Sequence, residues 1–311
     1  MRTSETAESK PPESTARRVT GAVWFALALV YVLWGSTYLA IRVVVQTMPP
    51  FLSAGARFIA AGLLLLGLVA WRYGPAALLA TRAQVGSAVV VGLLLILGGN
   101  GLVVLAETEV PSGLAALLIA AVPMWLVVLR TATGDRPPLR TLGGVLLGFA
   151  GLAVLTSPGI GGAVALSGVL LVLLASVLWS LGSFSASKLS LPGNPFTGSA
   201  YQMLAGGAGG IVVGLLRGEH RGLDWAGYST ASWLALGYLV VFGSLVAFTA
   251  YAWLLQSAPL SLVATYAYVN PVVAVALGAL ILDEALTWPI LVGGAVVVVA
   301  VCVIVSTERR Q

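Results

Sequence analysis

The sequence predicts an all-α integral membrane protein, with ten transmembrane helices arranged as two inverted five-helix repeats. Three observations lead there. Of the 311 residues, 59% are hydrophobic and only 9% charged, against about 25% charged in a soluble domain. Such a chain cannot cover itself with a polar surface. Apolar runs long enough to cross ~30 Å of hydrocarbon as helix recur along it, and the two halves of the chain resemble each other.

The runs are continuous rather than alternating, which selects helices over the strands of a membrane β-barrel. They place spans at roughly 22–43, 50–71, 84–106, 111–131, 141–157, 166–188, 196–216, 231–256, 260–282 and 288–306. The fifth is short and glycine-rich. The longest connection, RGEHRGLDWAGYST at 217–230, leaves no room for an inserted soluble domain. Residues 1–20 are polar and proline-containing and are expected to form a disordered tail. The first apolar run is too long for a signal-peptide core and many more follow, so it reads as uncleaved. The units are therefore a tail (1–20), a first repeat (21–157) and a second repeat (158–311). The single cysteine, Cys302, rules out an intrachain disulfide and reads as a small buried hydrophobe.

Lys and Arg in the loops set the orientation. If the N-terminus is cytoplasmic, that side holds Arg2, Lys10, Arg17, Arg18, Arg72, Arg82, Arg130, Arg136, Arg140, Lys188, Arg309 and Arg310, and the outer side only Arg42, Arg217 and Arg221. Both termini are thus expected in the cytoplasm, in a multi-pass protein of the cytoplasmic (plasma) membrane. The net charge of +5 reads as this loop bias, and no nucleic-acid partner is expected.

The repeat is visible in PFLSAGARFIAAG from Pro50 and PFTGSAYQMLAGG from Pro195, 145 residues apart. That offset also pairs Trp34 with Trp179, and Arg57 with Gln202. An offset of 148 brings Pro111 and Pro123 onto Pro259 and Pro271. Five spans is an odd number, so the second half must enter the membrane from the opposite side. Inverted repeats are the architecture of many secondary transporters, with the solute site near the midplane between the halves.

WGSTYLAIR, PPFLSAGARFIAAGLLLL, ETEVPSGLAALLIAAVPMW, ALGYLVVFGSLVAFTAYAWLLQ and SLVATYAYVNPVVAVALGALILDEALT resemble the drug/metabolite transporter superfamily, in particular its ten-helix EamA-type exporters of the YedA-like kind. The resemblance covers nearly everything after residue 20. The arginine in span 2, the proline midway along spans 4 and 9, and the acidic residue after span 9 sit where that family has them. In TGDRPPLR, Asp135 stands where the family usually has Glu. The resemblance implies export of a small molecule without naming it.

Tyr31, Trp34, Tyr38 and Arg42 share one helix face. Tyr38 and Arg42 sit near the interface, where aromatic and cationic anchors belong, while Trp34 is deeper and reads as cavity lining. Arg57 lies about 10 Å into span 2. A central arginine costs around 2.5–3.5 kcal/mol on insertion scales, so Arg57 either snorkels outward or has an anion. Glu107 is the nearest candidate and Glu109 the second. Arg42, Arg57 and Glu107 are therefore expected to form an outer charge cluster, a structural clasp or an exit gate. Near the midplane the residues are neutral, polar and aromatic: Asn100, Trp179, Tyr266 and Asn270. With Trp34 and Tyr38 they make the expected substrate site. The Ser176, Ser180, Ser183, Ser187 stripe and the Gly206, Gly210, Gly214 series read as close packing.

The acids exclude more than they suggest. Small multidrug relatives carry a membrane-embedded Glu in their first span; this chain has none there. Proton coupling would have to use Glu107 or the end of span 9, and exchange or facilitated export fits as well. Arg57 is the only deep cation, which argues against phosphorylated solutes, since several basic groups are needed to neutralise a phosphate. An uncharged or zwitterionic metabolite fits instead: an amino acid, an aromatic compound or a small natural product. With one histidine, in a loop, neither an HExxH metal site nor a Ser–His dyad can form within the membrane. No enzyme, metal or cofactor is expected, only a small-molecule partner and the lipid bilayer. A passive facilitator is the alternative, and the oligomeric state is left open, a monomer included.

Overall fold

The computed structural model describes residues 21–134, 136–155, 165–258, 260–263 and 265–308. The expected tail at 1–20 and Asp135 lie outside these. The protein is all-α, and its helices follow the apolar runs because every backbone amide within hydrocarbon must be paired inside its own segment. We number the spans in chain order: α1 (Gly21–Val45), α2 (Pro50–Tyr73), α3 (Arg82–Ala106), α4 (Ser112–Ala132), α5 (Leu139–Leu155), α6 (Leu166–Ala186) and α7 (Pro195–Leu216). α8 runs through Thr230–Tyr238, Leu239–Val246 and Ala247–Ser257; α9 comprises Leu260–Val263 and Tyr266–Ile281; α10 is Trp288–Glu308. Seven of these are long and apolar enough to cross a membrane by themselves, and shorter apolar helices supply the fifth, ninth and tenth.

Local chemistry sets the ends. Thr81 and Gln84 form a reciprocal capping box at the start of α3. Asn194 accepts from the backbone N–H groups of Phe196 and Thr197, with Pro195 at the first helical position of α7. α2 and α7, which correspond in the repeat, both finish against a glycine of positive φ, Gly74 (81°) and Gly218 (77°), where a side chain would be strained.

Packing follows the repeat. α2 lies along α7 and α5 along α10, the two most extensive helix contacts, and each joins corresponding spans of the two halves. α1 packs against α8 and α9, and its counterpart α6 packs against α3 and α4. The α2–α7 seam is glycine on glycine. A Cβ on Gly55 would stand 2.8 Å from the Gly207 carbonyl oxygen, and one on Gly207 would stand 2.9 Å from that of Gly55. Gly206 meets Ile96 of α3, Gly210 meets Gly55, and Gly214 meets Leu52, so the glycine series serves close helix approach. Large apolar side chains such as Leu64, Leu146, Leu216 and Leu280 point outward, as a lipid-facing surface requires.

Corresponding spans are also irregular at corresponding places. Leu93–Gly101 of α3 and Leu239–Val246 of α8 are both π-helical, a wide winding that recurs at functional sites. α4 breaks at Ala120–Ala121 and restarts with Pro123 in its first turn, where a missing N–H costs nothing. Pro271 instead lies inside α9.

Candidate substrate cavity

α1, α2, α3, α4, α6, α8 and α9 line a cavity of about 70 Å³, room for several waters. Its wall includes Trp34, Thr37, Tyr38 and Ile41 of α1, Arg57 of α2, Asn100 and Val103 of α3, Trp179 of α6, Phe248 of α8, and Tyr266 and Asn270 of α9. It therefore lies between the halves, with walls from both. On α1 the lining runs from Trp34 toward the C-terminal end. It takes the first turns of α2 and the last turns of α3, which places it toward the end of the bundle that carries Arg42.

The opposite end is closed by aromatic rings. Trp34 is buried at the centre of four: Trp179 (centroids 6.3 Å apart, edge to face), Phe248 (5.4 Å), Tyr251 (4.9 Å) and Tyr266 (5.3 Å). Its indole N–H donates to the Gly243 carbonyl (3.2 Å) in the π-helical segment of α8. Beyond it, the Tyr31 and Thr265 hydroxyls are hydrogen-bonded to each other. The Asn270 amide, turned so that its nitrogen faces two carbonyls, donates to Tyr31 O (3.2 Å) and Tyr266 O (3.3 Å). Asn270 thus lines the cavity and also ties α9 to α1.

Two polar groups of the wall are left without partners. Arg57 is 3% exposed. Its Nε donates to Ser244 Oγ at 2.9 Å, but its Nη1 has no hydrogen-bond partner. Asn100 Oδ1 is likewise buried and unpartnered. Gly243 makes room for this arrangement: a Cβ there would stand 3.2 Å from Arg57 Nη2 and 2.9 Å from Thr37 Cγ2.

The outer charge cluster differs from its expected form. Among the described residues no ion pair joins Arg57 to Glu107, and Arg57 turns to Ser244 instead. Arg42 Nη1 donates to the backbone carbonyl of Glu107, not to its carboxylate. Glu107 is fully buried with both carboxylate oxygens unpartnered. It continues the α3 face of Asn100 and Val103 without lining the cavity. The reason is spacing: the arginines sit on neighbouring spans at depths where a backbone carbonyl and a hydroxyl are closer than the carboxylate.

Other acids at this end cap helices. Glu284 accepts from the N–H groups of Ser112 and Gly113 and from Ser112 Oγ at the start of α4. Glu219 accepts from the N–H groups of Phe51 and Leu52 at the start of α2. Both sites use the positive end of a helix dipole. The serine stripe of α6 packs as expected: Ser176 accepts from the Trp125 indole (3.0 Å), and Ser180 donates to the carbonyls of Val122 and Ser176. Sequence reasoning missed Ser244, Phe248 and Tyr251. The aromatic pair sits at i and i+3 in FTAY, a signal that could have been read; Ser244 carried none.

Two irregular five-helix halves around a shared, partly polar cavity define a membrane-transporter architecture. The chain belongs to the EamA-like transporter family, whose pattern matches residues 20–157 and again 166–306. It is 39% identical over 258 residues to the uncharacterized inner membrane transporter YedA of Escherichia coli (strain K12), covering 81% of this chain and 80% of that one. It is 27% identical to the uncharacterized transporter YvbV of Bacillus subtilis (strain 168), covering 92% of each. A probable amino-acid metabolite efflux pump of Salmonella typhimurium is 29% identical over 170 residues, 53% of each chain. A crystal structure at 20% identity superposes with a TM-score of 0.66, covering 94% of this chain and all of the other, so the fold is shared. The protein is an integral membrane transporter.

Proposed function

We propose that the protein is a secondary transporter that exports small neutral or zwitterionic metabolites, such as amino acids, aromatic compounds or drug-like natural products, by alternating access. The observation that carries this reading is the cavity between the repeats, walled by aromatic rings and by the amides of Asn100 and Asn270. Aromatic walls with a few placed polar groups suit a small organic solute. Trp34, Tyr38, Asn100, Trp179, Tyr266 and Asn270 are the proposed substrate contacts; of the proposed gate residues, Arg57 stands in the cavity wall, Glu107 is buried on the α3 face that continues it, and Arg42 is at the rim. Corresponding π-helical segments in α3 and α8 give each half an element able to change its winding as the cavity exchanges sides.

In this reading both termini are cytoplasmic, in the plasma membrane, and the Trp34 cluster closes the cavity toward the cytoplasm. Reporter fusions at residue 160 and at Gln311 check the topology. The expected result is outside at 160 and inside at 311; the same side for both contradicts the inverted arrangement. The function is tested by metabolite profiling of cells overexpressing the protein. Accelerated release of a defined set of small amino or aromatic compounds is expected, and release no different from that of cells carrying the empty vector contradicts it.

A further inference from the structure

The geometry points to Arg57 as a carboxylate anchor: the cavity takes a small organic acid, its carboxylate on the guanidinium, its apolar body against Trp34 and Phe248, and a hydrogen-bond donor of the same solute on Asn100 Oδ1. This rests on the transporter reading above and shifts its substrate class toward carboxylate-bearing solutes, monoanions as well as zwitterions. Among the described residues, Arg57 is the one charged residue in the cavity wall. A guanidinium carries five N–H donors and is always charged. Here Ser244 occupies Nε at 2.9 Å while Nη1 has no partner. The guanidinium lies over the Phe58 ring, its carbon 4.6 Å from the centroid, but a ring face does not neutralise a buried cation, and among the described residues no carboxylate comes within ion-pair distance. A solute carboxylate matches the planar fork of the guanidinium. A single arginine balances one negative charge, which favours a monoacid over a phosphate. Asn100 Oδ1, buried and also unpartnered, accepts one N–H or O–H. The remaining wall is chiefly aromatic and aliphatic, so the body of the acid is apolar.

The test is binding to the full-length purified protein, read by titration calorimetry, with four probes of one shape: 3-phenylpropanoate, 3-phenylpropanamide, phenylalanine and phenethylamine. The two carboxylates are expected to bind at least about tenfold more tightly than the amide and the amine, the scale of a hydrogen bond to a charged group. Phenylalanine should bind more tightly than 3-phenylpropanoate, and Asn100→Ala should remove that difference. Arg57→Gln should erase the carboxylate preference, and Arg57→Lys should keep part of it. The ligand series on the unaltered protein stands independently of whether these variants fold. Equal binding of amide and acid, or no binding of any probe, overturns the proposal. Proteoliposome uptake of the same probes separates the two readings: movement without carboxylate preference sinks the anchor and leaves the transporter, while carboxylate-selective binding without movement does the reverse.

Discussion

Arg57→Ala is expected to lower transport by about tenfold or more, the equivalent of losing hydrogen bonds to a charged group, whereas Arg42→Ala should have a smaller effect. The difference lies in position. Arg57 is buried in the cavity wall and holds α2 to α8 through Ser244; Arg42 sits at the rim and donates to a backbone carbonyl. Ser244→Ala should reproduce part of the Arg57 loss, and the double variant should be no worse than Arg57→Ala alone, because both changes break one contact. Initial rates of solute release, normalised to protein in the membrane, decide the matter. Additive losses for Arg57 with Ser244 contradict the assigned contact.

Trp34→Ala is the second large effect. The indole joins four rings across α6, α8 and α9 and binds the Gly243 carbonyl, so its removal opens the closed end of the cavity. Transport should fall by about tenfold and selectivity among solutes should broaden. Buried aromatic truncations cost roughly 3–5 kcal/mol in stability, so Trp34→Phe is the companion variant. It keeps a ring but loses the N–H bond, and should fall between wild type and Trp34→Ala. Asn270→Ala, which frees Tyr31 O and Tyr266 O, should weaken export with membrane yield intact. Leu64→Ala, on the outward face, should leave export unchanged. Normal export by both Trp34→Ala and Asn270→Ala, or loss only through misfolding, overturns the site.

Much of this was legible in the sequence, for reasons that differ by feature. Spans are written in local composition, and α1 and α2 begin and end within two residues of their apolar runs. Trp34 and Trp179 are matched by the repeat, and the structure brings their rings to 6.3 Å. The partner of Arg57 was not legible. Choosing Ser244 over Glu107 depends on how α2 packs on α8, 187 residues apart in sequence, and on a π-helical winding that no local residue type announces. The capping roles of Glu219 and Glu284 were hidden for the same reason: each acid lies over 160 residues from the helix start it serves.

In the proposed carrier, the cavity between the halves serves one side of the membrane at a time. Counterflow in proteoliposomes tests it most directly, using a solute drawn from the release profile, loaded unlabelled inside, with trace labelled solute outside. The account predicts a transient overshoot of labelled solute above its equilibrium level, saturable and lost in Trp34→Ala. Simple equilibration without overshoot, linear in concentration, would show a passive channel and contradict alternating access.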